Sequence, residues 1–285
     1  MPIVFDNVSY TYSPKSSFRK EALKEVSLTI EDGDFFGIIG HTGSGKSTLV
    51  SHINGLTKLQ SGKLTVGEFD LSRRKIKYKQ LRAYAGMVFQ YPEHQLFDES
   101  VAKDVGFGPR NLKLDKDEID KRVRRAIELV GLDYKEIADK SPFDISGGQK
   151  RRVALAGVIA MEPKVLILDE PTAGLDPSGK KEIMALINNL KKTCPTIIMV
   201  SHNMDEIAAN CNRIAVLNGG RLEYVLPPKE LFRNYDRLKE LRLDVPSATK
   251  VAGMLADKGW DIDRGIYCMG ELADRIASEV KGKEI

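Results

Sequence analysis

Eight residues, GHTGSGKS from Gly40 to Ser47, constrain the fold of this chain more than any others. They match the spacing G-x-x-x-x-G-K-[ST]. Upstream lies DFFGIIG, a continuous apolar run of the kind shown by a strand buried on both faces. Downstream lies KSTLVSHINGL, which puts Leu49, Ile53 and Leu56 on one helical face and offers Asn54-Gly55 as a stop. Strand, glycine turn and helix in that order turn backbone N–H groups toward a phosphate. Gly43 and Gly45 let the backbone curl, and the helix N-terminus adds partial positive charge. Lys46 is expected to reach the β- and γ-phosphates and the Ser47 hydroxyl to bind Mg²⁺.

A second element supplies acids. VLILDE reads as a buried strand ending at Asp169, where α/β folds place ligand-binding groups. A carboxylate there suits Mg²⁺ held through water. Glu170 points to the other side of the strand end and is placed to orient an attacking water. An acidic pair could also cap a helix, a weaker reading in a chain with a phosphate loop. TIIMVSH ends the next strand at His202, which should emerge at the same edge and touch the γ-phosphate. ISGGQ opens a long helix, so Ser146, Gly147 and Gly148 expose N–H groups as a second anion site. Its rival is plain N-capping by Ser146. Two phosphate cradles in one chain suggest that the second serves another molecule's nucleotide.

The rest of the chain frames these motifs. PIVFDNVSYTY and ALKEVSLTI alternate as half-buried antiparallel strands do. Residues 62–90 suggest short strands around SRRKIKYKQLR, a solvated basic loop. Residues 100–161 read as helical. There KDEIDKRVRRAIELVGL stripes Ile119, Val123, Ile127 and Val130 and stops at Gly131. From 164 strands and a helix near 178–192 alternate, which implies a parallel sheet flanked by helices. The fold class is therefore α/β, with antiparallel N-terminal strands and a helical insertion. From about 231 short helices form a tail that is marginal as an independent core and should pack on the main domain or another subunit.

Composition excludes more than it suggests. A net charge of +4 over 285 residues gives no warrant for nucleic acid as a partner. Cys194, Cys211 and Cys268 are scattered and odd in number, which fits a reducing cytosol. The apolar runs are far shorter than the ~20 residues of a membrane span, so the chain should reach a membrane only through a partner.

With these motifs on the page, residues 3 to about 230 resemble the ATPase subunit of an ABC transporter, a P-loop NTPase. Gly40–Ser47 is its Walker A motif, Asp169 and Glu170 end its Walker B, and ISGGQ is its signature, with Ile145 where Leu is usual. The resemblance implies ATP and Mg²⁺ as cofactors. It makes Glu170, His202 and Gln90 catalytic, with Gln90, Ser47 and Asp169 near the metal. Gly40, His41, Thr42, Gly43, Ser44, Gly45, Lys46, Ser47 and Thr48 would surround the phosphates. Tyr12 would stack on adenine, with Tyr10 a competing candidate. Ser146, Gly147, Gly148, Gln149 and Asp176 of the AGLD loop would face the nucleotide of a head-to-tail partner.

One stretch narrows the machine. FQYPEHQLFDESVAKDVGFGPRN, residues 89–111, is similar to the ATPases of energy-coupling factor transporters, which import vitamins and transition-metal ions. GHTGSGKSTL, PEHQLF and RRVALAGVIAMEP look most like the second of their two paralogous ATPases. That resemblance implies a heterodimer with a sister ATPase on the cytoplasmic face of the membrane, docked on a membrane coupling subunit. A separate small membrane protein would bind the substrate. It also divides the chain into an ATPase domain, 1–230, with its insertion at about 91–161, and a dimerising extension, 231–285. Pro92 should hold Tyr91 extended. Leu96, Phe97 and Phe107 could each fill a core or meet a partner, whereas His94 and Gln95 should stay exposed. Conventional ABC transporter ATPases and soluble, non-transport ABC proteins are the rival classes.

Overall fold

The computed structural model describes residues 1–283. The chain begins β1 (Ile3–Tyr12), β2 (Lys20–Ile30), β3 (Phe35–Ile39), α1 (Lys46–Ile53), β4 (Ser61–Val66), β5 (Phe69–Asp70), α2 (Tyr78–Tyr84) and β6 (Ala85–Val88). The insertion carries α3 (Val101–Asn111), α4 (Lys116–Leu129), α5 (Tyr134–Ile137) and α6 (Gly147–Ile159). The core resumes with β7 (Val165–Asp169), α7 (Pro177–Leu190), β8 (Thr196–Val200), α8 (Met204–Asn210), β9 (Arg213–Asn218) and β10 (Arg221–Leu226). The tail holds α9 (Pro228–Arg233), α10 (Tyr235–Glu240), α11 (Ser247–Asp257) and α12 (Met269–Lys283).

Two sheets result. The N-terminal strands form an antiparallel sheet in the order β2-β1-β4-β5. A register shift between Phe5 and Val8, with Asn7 at φ 55°, keeps Ile3, Phe5 and Val8 all on the buried side. The second sheet runs β10-β9-β3-β8-β7-β6 and is parallel except for the β9–β10 pair. Its central strands alternate between two cores. Phe36, Ile38, Ile167 and Ile198 join the N-terminal sheet and α1, while Phe35, Ile39, Leu168 and Met199 join the helical side. Apolar residues on both faces of one strand explain its unbroken hydrophobic run.

The insertion's helices start where side chains cap them. Ser100, Asp115, Asp133 and Ser146 each accept a hydrogen bond from a backbone N–H of the first turn. The Val123, Ile127 and Val130 stripe is buried, and Gly131 ends α4 at φ 74°. α1 departs slightly from expectation: Leu49 and Ile53 are buried, but Leu56 lies beyond the helix end and is exposed.

The basic segment before Gln90 is a correction. It holds a helix, α2, where loop and strand were expected. Its Leu81 is fully buried, and a Cβ on Gly55 would meet both Leu81 and Tyr78. Packing against the end of α1 therefore selects the helix, while Arg73, Arg74, Lys75, Lys77 and Lys79 stay in solvent as expected. The tail is two things. Leu231, Phe232, Leu238, Leu241, Leu243 and Val245 join the main helical-side core, whereas Ala248, Ala252, Ile262, Ile266 and Leu272 form a small core of their own. Among the described residues no helix is long and apolar enough to cross a membrane.

Candidate nucleotide site

The loop between β3 and α1 is built where side chains are forbidden. A Cβ on Gly45, at φ 108°, would collide with the Ala22 carbonyl, and one on Gly40 with the Leu217 carbonyl and the Ser44 hydroxyl. The Gly220 N–H donates to the Ser44 carbonyl at 3.0 Å and ties the loop to the β9–β10 turn. Lys46 Nζ donates to the carbonyls of Gly40 at 2.7 Å and His41 at 3.2 Å. Burial pushes the Lys46 ammonium pKa down, and the Glu170 and Asp169 carboxylates pull it back up. The His41 ring lies 2.9 Å from the Thr42 carbonyl and 3.2 Å from the Asn218 side-chain oxygen.

Asp169 ends β7 and Glu170 follows it, and both line one cleft rather than pointing to opposite sides. Asp169 accepts from the Ser47 hydroxyl; burial raises its pKa, while that hydrogen bond and Lys46 lower it. Glu170 sits in the left-handed region at φ 52°, and its N–H donates to the Val200 carbonyl at 2.9 Å. Such a conformation costs about 1–3 kcal/mol and persists only where the surroundings impose it. It aims a mostly buried carboxylate at His202, whose Nδ1 lies 2.7 Å away. Burial pushes the Glu170 pKa up, and His202 opposes that shift. His202 itself is exposed.

These groups share one cleft of ≈ 630 Å³, where Lys46, Ser47, Gln90, Asp169, Glu170 and His202 meet. Residues Arg242, Leu243 and Asp244 from the tail form part of its wall. The donors suit a nucleotide with Mg²⁺. The glycine turn leaves room for phosphate against backbone, and the buried Ser44 hydroxyl lacks a partner among the described residues. One hydroxyl and one carboxylate, Ser47 and Asp169, are what Mg²⁺ takes from protein when phosphates and water supply its other ligands. No cluster of three or more His, Cys, Asp or Glu able to hold a metal occurs among the described residues, so an all-protein metal cage is not the alternative there.

The two aromatic candidates differ in their surroundings. Tyr12 is exposed, with its hydroxyl 3.1 Å from Thr48 Oγ1. Tyr10 lies edge-on beneath it, with ring centroids 4.9 Å apart, and edge-on to the buried His52 ring at 5.0 Å. His52 is held by its 2.7 Å hydrogen bond to the Thr48 carbonyl. Tyr12 is the more exposed ring, and Tyr10 touches both it and His52.

Five expected residues, those of the glycine-rich helix start and Asp176, lie away from that cleft. Ser146 accepts from the Gln149 N–H at 3.3 Å, and Gln149 Oε1 accepts from the Ser146 N–H at 3.0 Å, a reciprocal cap. Gly147 and Gly148 are exposed at the start of α6 with open space where a Cβ would stand. The N-cap reading and an exposed anion cradle are thus compatible. Asp176 likewise caps α7 through the Gly179 N–H at 2.9 Å.

Sequence reasoning missed the residue that binds these parts together. Arg151 on α6 is buried and forks onto Glu93, with Nε and Nη2 at 3.1 and 3.2 Å from its two oxygens. Its Nη1 donates to the Ala173 carbonyl at 3.0 Å. It therefore joins the glycine-rich helix start, the segment after Gln90 and the loop after Glu170. Both charges were visible beside motifs, in PEHQ and GGQKRR, but their pairing was not. Arg151→Ala strands the Glu93 carboxylate and is expected to destabilise the fold by about 3–5 kcal/mol, as broken buried pairs do. Denaturant unfolding of the purified variant checks this; a loss below about 1 kcal/mol would show the pair to be solvated.

The segment after Gln90 also departs from expectation. Tyr91 is left-handed, at φ 55° and ψ 58°, rather than extended. A following proline disfavours chiefly the right-handed helical region, and the reversal buries Pro92 and brings Glu93 to Arg151. His94 and Gln95 are exposed and Leu96 is buried. Phe97 and Phe107 are 60% and 45% exposed and pack edge-to-face at 5.0 Å, so neither fills the core. They line a groove of ≈ 510 Å³ with Lys79, Arg82, Leu112 and Met161.

A phosphate loop at a parallel-sheet edge, two strand-end acids and a neighbouring histidine define a P-loop ATPase. The ABC transporter family model matches residues 23–173, and the chain belongs to that family. It is 49% identical to the energy-coupling factor transporter ATP-binding protein EcfA2 of Symbiobacterium thermophilum, over 100% of this chain and 98% of that protein. Its identity to the protein of the same name in Clostridioides difficile is 48%, covering 99% of each. Among solved structures it is similar to cbiO1 of Clostridium perfringens, part of the ABC transporter complex cbiONQ, with TM-score 0.71 and 41% identity over 84% of this chain and 93% of that one. It also resembles the ATP-binding cassette MJ0796, a dimer bound to ADP and Pi, with TM-score 0.69 and 28% identity over 79% of this chain and 98% of that one.

Proposed function

We infer that this chain is the ATP-hydrolysing subunit of an energy-coupling factor transporter and powers micronutrient uptake through ATP-driven closure of a head-to-tail heterodimer. The observation that carries the catalytic part is the meeting of Lys46, Ser47, Asp169, Glu170 and His202 in one cleft. The end-to-end similarity to energy-coupling factor ATP-binding proteins supports the transport part.

Lys46 and the loop N–H groups hold the β- and γ-phosphates, and Tyr12 stacks on the base. Ser47 and Asp169 would hold Mg²⁺, with Gln90 nearby; the ion supplies charge neutralisation at the phosphates. Glu170 orients the attacking water and takes its proton. His202, 2.7 Å from Glu170, positions that carboxylate and reaches the terminal phosphate. Ser146, Gly147, Gly148, Gln149 and Asp176 lie outside the cleft because they serve the sister subunit's nucleotide across the closed interface.

The exposed Phe97–Phe107 groove includes Gln95, the last residue of the 3-10 turn Pro92–Gln95, and Arg151 connects that turn to the loop after Glu170. We assign the groove to a helix of the membrane coupling subunit. Changing Phe97 and Phe107 together to Ala should lower copurification of that subunit at least about fivefold while the ATPase pair remains assembled, consistent with loss of two aromatic anchors. Unchanged recovery in detergent extracts would remove the assignment. The experiment for the whole reading is affinity capture of the native protein from detergent-solubilised membranes. A sister ATPase with one membrane coupling protein supports it; recovery with ribosomes or DNA defeats it.

A further inference from the structure

We propose that Arg242, from the tail, is a phosphate-binding residue of its own chain's cleft and contacts the terminal phosphate of the bound nucleotide. The proposal rests on the reading that the cleft binds ATP. It adds a second cation to the one that the P-loop supplies, and it gives the first part of the tail a role in nucleotide recognition.

Position is the first argument. Arg242 lines the cleft together with Gln90, Glu170 and His202, assigned to the metal's surroundings, the attacking water and the terminal phosphate. Tyr12 and Thr48, at the base end, do not line this cleft.

Rigidity is the second. Leu241, Leu243 and Val245 are buried in the main core, whereas Arg242 and Asp244 are exposed. This alternation puts the two charged residues on one side of an anchored strap. The Arg242 N–H donates to the Lys239 carbonyl at 2.9 Å, and Arg242 takes φ 57°, a left-handed conformation that the buried leucines on either side hold in place.

Charge is the third. The guanidinium of Arg242 forms no ion pair among the described residues, unlike Arg233 with Asp263 and Arg237 with Glu240 on the same tail. Asp244, which would repel phosphate, is engaged by Lys250 at 2.7 Å. What remains at the cleft wall is an arginine without an ion pair among the described residues, and a guanidinium is the group best matched to two phosphate oxygens at once.

The strap is also fastened to the loop that carries His202. The Ser247 N–H and hydroxyl each donate to the Asp205 carboxylate at 2.8 Å, and Asp205 lies on the first turn of α8, just after that loop. Arg242 and His202 therefore sit on connected elements and can report the same phosphate.

The test is equilibrium binding of Mg-ATP and Mg-ADP to the purified transporter complex, with the sister subunit's P-loop lysine replaced so that one site is read. Arg242→Ala and Arg242→Gln should each weaken ATP about tenfold and ADP less than about twofold, the size of one charge-assisted hydrogen bond lost at the terminal phosphate. Arg242→Lys should recover part of the loss, since it restores charge without the fork. Equal weakening of ATP and ADP, or no change in either, would overturn the proposal. Lys46→Ala separates the two levels. If it leaves ATP binding intact, the cleft reading itself fails. If it abolishes binding while Arg242→Ala does nothing, only the role of Arg242 fails.

Discussion

Replacing Glu170 by glutamine should lower turnover at this site at least about 100-fold while ATP still binds, the cost of removing a positioned general base. The substitution conserves shape. The N–H bond from residue 170 to the Val200 carbonyl is backbone and survives, and an amide oxygen can still face His202. What is lost is the capacity to take a proton from water. Binding groups are untouched, so the nucleotide stays and the closed pair accumulates. Steady-state hydrolysis by a complex whose sister site is also disabled, together with gel filtration in Mg-ATP, reads both effects. Normal turnover there would show that another group takes the proton.

The same carboxylate sets a pH limb. Burial pushes the Glu170 pKa above its ordinary value of 4.5, against the opposing pull of His202. The base acts only when ionised, so turnover should fall as pH drops, and the fall should begin above the usual carboxylate range. The residual turnover of Glu170→Gln should lack that limb.

The second large effect is at Lys46. Lys46→Ala should weaken ATP binding by about 100-fold or more, in line with loss of two charge-assisted contacts. The ammonium is the positive charge placed inside the loop, where it meets the carbonyls of Gly40 and His41 and lies in the field of Asp169 and Glu170. Its removal takes that charge from the loop while both carboxylates remain. The Gly220–Ser44 backbone bond and the flanking strand and helix still hold the loop when the two Lys46 bonds to it are lost, so the thermal midpoint should move far less than the affinity. Titration calorimetry with ATP and ADP checks this, and an affinity within threefold of the parent would mean that Lys46 does not touch phosphate.

Legibility along the chain followed how local each interaction is. Gly40–Ser47 could be read because a phosphate loop is one contiguous turn between a strand and a helix. Asp169 and His202 could be placed at one edge because parallel strands in register end together, as β7 and β8 do at the Asp169–Val200 pair. The α4 stripe and its Gly131 stop are likewise contained within one helix. The basic stretch at 72–82 misled because its charges dominate its composition, while Leu81 packing against the end of α1 selects the helix. Tyr91 misled because the proline rule excludes one region of backbone space and does not choose between the others.

By itself the sequence determined that the chain is an α/β ATPase with a phosphate loop, two strand-end acids and a glycine motif at a helix start. Each is a short pattern whose chemistry depends on neighbours within a few residues. Only the tertiary structure decided that Tyr12 is more exposed than Tyr10, that Arg151 clasps Glu93, and that Arg242 walls the cleft. Those outcomes join residues far apart in the chain, such as 93 with 151 and 170 with 242. They exist only once the packed core has brought separate elements together.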